Sequence, residues 1–374
     1  MFDIFLSVII SFGITLLAIP TIIKVSEEKM LFDVPDERKI HINPIPSLGG
    51  LGIFAGFVIT CLLAISFQNA AEFPFFMAAS LVIFFLGIKD DILIISPMKK
   101  FIGQVLAAFL VIQKGGVLLN GMHGFMGIHE MPMLVSVPFT YFTVIVIINS
   151  FNLIDGVDGL AGSLGFMATT IFGLYFIKID LIPYACLSLA LSGSIAAFLI
   201  FNFQPAKIFM GDTGSLLIGL ITSVLVIKFI NVSADPNISM PLESAPAIGF
   251  SILMVPLLDT LRVFAIRIMN KRSPFSADRN HVHHLLLDRG LTHQQVTITL
   301  VSANLLFVAF AFFARSMGST ILIFSMLSLF FAGIGVLYES RQKQRAFIPR
   351  LRSKQKKMGS SKIILIKDAV LEEK

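Results

Sequence analysis

Long, nearly uninterrupted apolar runs recur along almost the whole chain, and they leave it few folds to choose from. Runs of roughly 16 to 23 apolar residues match the length needed to cross a hydrocarbon core as a helix. Inside lipid, a single spanning segment can satisfy its own backbone only as a helix. The runs predict about eleven helices, at roughly 2–24, 47–67, 73–88, 101–114, 134–151, 163–178, 183–203, 213–231, 246–266, 296–314 and 319–338. The third, fourth and fifth are short or interrupted. Composition agrees: 56% of the 374 residues are hydrophobic and only 14% are charged, with a mean hydropathy of +0.87. A soluble domain of this length is far more polar. The expected fold is an all-α integral membrane protein, with a polytopic domain over 1–340 and a basic tail over 341–374.

The Lys and Arg pattern orients these spans. The loops after the first, third and ninth carry Lys29, Arg38, Lys39, Lys89, Lys99, Lys100, Arg267, Lys271, Arg272, Arg279 and Arg289, whereas 68–72, 115–133 and 232–245 contain neither residue. The asymmetry predicts an outside N-terminus and a cytoplasmic C-terminus. The net charge of +6 is concentrated in the tail after Tyr338, which reads as a basic segment beside anionic lipid rather than a nucleic-acid surface. The first apolar run is too long for a signal peptide and lacks a basic leader. Cys61 and Cys186 lie inside spans with no metal-ligand spacing. His123 and His129, in the outer loop, read as ordinary loop histidines of an external hairpin.

Against this apolar background five acids stand out: Asp90 and Asp91, Asp155 and Asp158, and Asp212. A carboxylate at membrane depth is costly unless it lines a wet, polar site. Each lies at the predicted cytoplasmic end of a span, so a cleft on that face is expected. Adjacent Asp90 and Asp91 suit a metal ligand or a general base, and the Lys99–Lys100 pair that follows reads as an ordinary membrane anchor. In N152LIDGVDGLAG162, Asn152, Asp155 and Asp158 recur every third residue and would share one face if helical. That set suits Mg²⁺ or a ribose, while Gly156, Gly159 and Gly162 permit close helix packing. The run F201NFQPAKIFMGDTGS215 adds Asn202, Lys207, an exposed Phe209, and Asp212 at a helix mouth, where Asp212 would act as a cap or, with the other acids, as a cation ligand.

Cationic groups complete the pattern. Arg38, Lys39 and His41 follow the first span, and Gly49–Gly50 allow a close backbone approach. The loop S273PFSADRNHVHHLLLDRG290 gathers His281, His283 and His284, three of the chain's seven histidines. Their spacing fits no zinc finger, so contacts to a diphosphate or a sugar are expected, and Arg267 and Arg279 would add bidentate phosphate contacts.

Taken in series, KDD, NLIDGVDGLAG, FMGDTGS and HVHH resemble the polyprenyl-phosphate N-acetylhexosamine-1-phosphate transferase family, in its WecA/TagO-like branch, from about Asp33 to Gly290. The resemblance implies transfer of an N-acetylaminosugar 1-phosphate, by default GlcNAc-1-phosphate, from a UDP-sugar to undecaprenyl phosphate. The released product is UMP, and the step starts a cell-envelope glycan such as an O-antigen, in a bacterial cytoplasmic membrane. It implies Asp90 as the base, supported by Asp91, and Asp212 as the Mg²⁺ ligand, assisted by Asn152, with Mn²⁺ the alternative ion. It implies Phe209 stacked on uracil, Asn202, Asp155 and Asp158 along the nucleotide–sugar site, and His281, His283, His284 and Arg38 on phosphate or sugar. A homodimer is one assembly compatible with it, and the sequence leaves the oligomeric state open. Direct attack on the β-phosphate is preferred to a route through a phosphorylated aspartate.

Three other readings compete. The related MurNAc-pentapeptide transferases carry three consecutive histidines, whereas Val282 interrupts the run here. A proton-coupled transporter would place its acids at mid-span and show internal repeats; neither is evident. A membrane phosphotransferase with its acids in one helix is disfavoured by their dispersal over three loops.

Overall fold

The computed structural model describes residues 2–31, 45–67, 70–93, 95–271, 273 and 280–339. The first span is α1 (Phe2–Glu28), followed by the short α2 (Gly49–Ala64), α3 (Phe73–Ile92) and α4 (Pro97–Phe109), which ends in a π-helical turn, Leu110–Lys114. A small hairpin, β1 (Gly121–Phe125) and β2 (Ile128–Glu130), precedes α5 (Met133–Ile154), α6 (Leu160–Lys178), α7 (Ile182–Asn202) and α8 (Gly211–Ser233). Then come α9 (Ala245–Ile252), α10 (Met254–Met269), the one-and-a-half-turn α11 (Val282–Leu287) and α12 (His293–Phe313). The last described helix is α13 (Ser319–Glu339).

Eight of these helices are long and apolar enough to cross a membrane: α1, α3, α5, α6, α7, α8, α12 and α13. The chain is a multi-pass, all-α membrane protein. The other three expected spans are shorter or broken, so the eight crossings stand on length and the count of eleven does not. α2 has 16 residues, α4 stops at its π turn, and the expected span 246–266 breaks at Leu253 between α9 and α10. Broken backbone at that depth needs partners, and Asn304 of α12 supplies them. Its Oδ1 accepts from Val255 N at 2.9 Å, while its Nδ2 donates to the carbonyls of Ile252 at 3.0 Å and Ser251 at 3.2 Å.

Burial separates a core from a lipid rim. α7 and α8 are 78% buried over their spanning windows, against 22% for α1 and α13. Small residues bring two helices, α2 and α3, onto the start of α8. A Cβ on Gly50 would lie 2.7 Å from the Thr213 carbonyl carbon, and one on Gly87 2.6 Å from Thr213 N. Only glycine permits backbones so close, and the expected role of Gly49–Gly50 is borne out. At the far end of α8, Asn231 Nδ2 donates to Leu118 O at 2.7 Å and steadies the chain leading into the hairpin. The hairpin and the acidic residues thus occupy opposite ends of the bundle.

Candidate active site

The N-terminus of α8 organises the acidic end. Asp212 does not cap its own helix: the N-cap position is Met210, which makes no side-chain cap hydrogen bond. The cap comes from α3 instead. Asp91 Oδ1 accepts from Asp212 N at 2.7 Å, and its Oδ2 accepts from Thr213 N at 3.1 Å and Thr213 Oγ1 at 2.6 Å. A carboxylate suits this position, because helix N-terminal amides are unpaired and the helix dipole is positive there. Both Asp91 oxygens are thereby committed to placing Asp212, rather than to the support of Asp90 expected of it.

With α8 so placed, Asp90, Asn152 and Asp212 converge on Lys100 Nζ from the first turn of α4. The ammonium lies 3.2 Å from Asp90 Oδ2 and 3.1 Å from Asn152 Oδ1, and is in direct contact with Asp212 Oδ2. Asn152 Nδ2 donates to Asp212 Oδ1 at 2.7 Å and to Ser215 Oγ at 3.1 Å. Asp90 Oδ1 accepts from Ile95 N at 2.9 Å. Lys100 is therefore a cation held by three oxygen-bearing side chains, a donor set that suits a hard divalent ion. Among the described residues no three His, Cys, Asp or Glu side chains could by themselves hold a metal. A cation here would need Asn152 and substrate oxygens to complete its shell.

Lys100 is also the residue that sequence reasoning passed over. It lines a cavity of about 220 Å³ together with Asp90, Ile95, Pro97, Phe101, Gln104, Asn149, Asn152 and Leu153. A turn deeper, the buried amides of Gln104 and Asn149 exchange hydrogen bonds of 3.3 and 2.8 Å. Lys100–Asn152 and Gln104–Asn149 thus form two polar rungs between α4 and α5.

The run after Asn152 departs from expectation. α5 ends at Ile154, with Asp155 at its C-cap, and Gly159 takes a left-handed φ of +74° before α6 begins. Asn152, Asp155 and Asp158 therefore do not share a helix face; two glycines and two turn-forming acids end the helix instead. Burial pushes the Asp155 carboxyl up to about 8, and the charges of Asp212, Asp91 and Asp158 add to the rise. Asp158 is turned away, with its Oδ1 3.1 Å from His293 Nδ1, while Thr297 Oγ1 donates to its carbonyl at 2.9 Å. Asn202 braces the same turn, accepting from Gly159 N at 2.9 Å and donating to Ile208 O at 2.9 Å.

The remaining candidates fall around this centre. Phe209 is half-buried rather than exposed, and its backbone pairs with the first loop through Phe209 N to Pro46 O at 2.8 Å and Gly49 N to Phe209 O at 2.9 Å. His281 and His283 are buried at 4% and 1% exposure, and His284 lies against His283 with ring centroids 4.3 Å apart. Burial lowers His283 to about 3, with His284 contributing to the fall, so this imidazole is neutral. Arg267 is buried in α10, 5.9 Å from the Phe264 ring centroid. Arg38, Arg279 and the basic tail lie outside the described residues.

Residues 73–230, which carry every acid of this centre, match the family model for glycosyl transferase family 4. A Bacillus subtilis protein described as a probable undecaprenyl-phosphate N-acetylglucosaminyl 1-phosphate transferase is 30% identical over 83% of this chain and 85% of its own length. The chain belongs to the polyprenyl-phosphate N-acetylhexosamine-1-phosphate transferase family. A decaprenyl-phosphate N-acetylglucosaminephosphotransferase of Mycobacterium leprae is 33% identical over 71% of this chain and 72% of its own length. An undecaprenyl-phosphate α-N-acetylglucosaminyl 1-phosphate transferase of Haemophilus influenzae is 34% identical, with 73% and 77% covered. Such similarity makes this chain a glycosyl-1-phosphate transferase.

Proposed function

We propose that this transferase moves N-acetylglucosamine 1-phosphate from UDP-N-acetylglucosamine to undecaprenyl phosphate at the cytoplasmic face of a bacterial inner membrane. The observation that carries the reading is the cationic Lys100 enclosed by Asp90, Asn152 and Asp212, beside a cavity lined by α3, α4 and α5. A polyprenyl tail cannot leave the bilayer, so its phosphate must be met at such a lip. The side of the membrane follows from the Lys and Arg asymmetry of the loops.

In the reaction, an oxygen of the lipid phosphate attacks the β-phosphorus of the sugar nucleotide. A new P–O–P bond forms, the bond from the β-phosphorus to the bridging oxygen breaks, and UMP departs with the electron pair. Asp90 lines the cavity, where it would take a proton from the incoming phosphate. Lys100 would offset charge on the transferring phosphoryl group. Asp212 and Asn152 would hold Mg²⁺, which when bound offsets the negative charge of the two substrates. Asp155 and the His283-backed turn would line the donor side.

Incubation of the purified protein with undecaprenyl phosphate and a panel of UDP-sugars tests this reading through UMP release. Release with UDP-N-acetylglucosamine, lost on chelation and restored by Mg²⁺, is the expected result. Release only with a UDP-muramyl-pentapeptide donor, or none with any donor, would overturn it.

A further inference from the structure

Asp259 lies within α10 with no exposed surface. A carboxylate in that setting is expensive unless donors surround it, and here they do. Its Oδ1 accepts from Arg262 Nη2 at 2.8 Å and from the backbone N–H of Val282 at 3.0 Å. Its Oδ2 stands 2.9 Å from His281 Nδ1. Arg262 closes the clamp: it donates to the carbonyl of Asn280 and, through Nη1, to Tyr338 Oη of α13 at 2.9 Å. Two side chains one turn apart on α10 therefore hold residues 280–282 and the end of α13 together.

The clamp leads to the donor side of the site. The rings of His281 and His283 are parallel within 6°, with centroids 5.5 Å apart. His283 in turn sits over the Asp155–Asp158 turn so closely that a Cβ on Gly156 would lie 2.7 Å from its Nε2. Contacts thus run without interruption from Asp259 through two imidazoles to the turn bearing Asp155.

We propose that Asp259 is a positioning residue for the transfer reaction: its carboxylate holds the Nδ1–H of His281 and so sets the ring's orientation and tautomer. A carboxylate facing a guanidinium is ionised and can only accept, so Nδ1 carries the proton and Nε2 is left for other work. The inference rests on the donor-site reading above, and the tests separate the two.

Asp259→Asn preserves volume and one accepting oxygen but turns an N–H toward His281, favouring the opposite tautomer. The expected loss in kcat/KM for the UDP-sugar is on the order of 10- to 100-fold, as for other groups that orient an imidazole. In the His281→Gln background the same change adds little further loss, because both act through one ring. Losses that multiply in the double variant would overturn the proposal. Should Asp259→Asn fail to fold, imidazole ¹⁵N spectra of the wild-type protein decide it. The His281 signal, identified by its disappearance in His281→Gln, is expected to show a protonated Nδ1, and an unprotonated Nδ1 sinks the idea. Absence of UMP release from wild-type protein would refute the donor-site reading while leaving the spectral test in force.

Discussion

Lys100 carries one positive charge into a pocket walled by Asp90, Asn152 and Asp212, and its position sets what each neighbour can do. Lys100→Met keeps the stem and removes the charge, so kcat/KM should fall on the order of 100-fold, as when one donor to a developing negative charge is lost. The UMP-release assay checks this, and an undiminished rate would reduce Lys100 to an anchor of α4. His283 allows a second residue-scale prediction, in stability. Its folded pKa of about 3 lies below the roughly 6.5 of an exposed histidine. As the pH falls, the unfolded chain takes up the proton first; this group's contribution is complete above about 6.5 and drains as the pH falls toward 3. Thermal melting of the wild type should therefore fall between about pH 6.5 and 5 more steeply than that of His283→Gln. Parallel slopes would show that His283 is not held neutral.

At the scale of elements, the site is a matter of which helix ends meet. The first turn of α8 is capped by a carboxylate from α3, so Asp91→Ala should strip two backbone N–H groups of their acceptor and cost about 1 to 2 kcal/mol. A lower melting temperature together with lost activity is expected, whereas Asp90→Asn should lose turnover at an unchanged melting temperature. Equal thermal effects in the two variants would refute this division of labour. That Asp90, Asp91, Asp155 and Asp212 gather at one end was legible in the sequence, because carboxylates at the ends of apolar runs have few other uses; that Asp158 turns toward His293 was not. Their division was not, since a cap donated across helices leaves no local pattern, and Asp212 read as its own cap. The Asp155–Asp158 run read as helical because three-residue spacing looks alike in a helix and in a turn; only the cluster of glycines argued for the turn. Lys100 was hidden by its neighbour Lys99, since a lysine pair near a membrane has an ordinary explanation. Asp259 carried the signal that marked the other acids, yet its single charge lay inside an apolar run, without a motif around it.

Across the whole molecule, the fold concentrates like charge at one end of an apolar bundle and then has to balance it. Asp90 and Asp212 meet at a single lysine, and Asp155, lifted to about 8 chiefly by burial, is pushed up further by the nearby charges of Asp212 and Asp91. A bound divalent cation would relieve it, and a ligand that binds only the folded state stabilises by mass action, by about 2.7 kcal/mol at a hundred times its Kd. Mg²⁺ should therefore raise the melting temperature of the detergent-solubilised protein, and Asp212→Asn should abolish the rise. Protons compete with the cation for these carboxylates, so the rise should be larger at pH 8, where Asp155 is about half ionised, than at pH 6, where it holds its proton. A rise that persists in Asp212→Asn would place the cation elsewhere. No rise at either pH would mean that Lys100 alone balances the site until the substrates arrive.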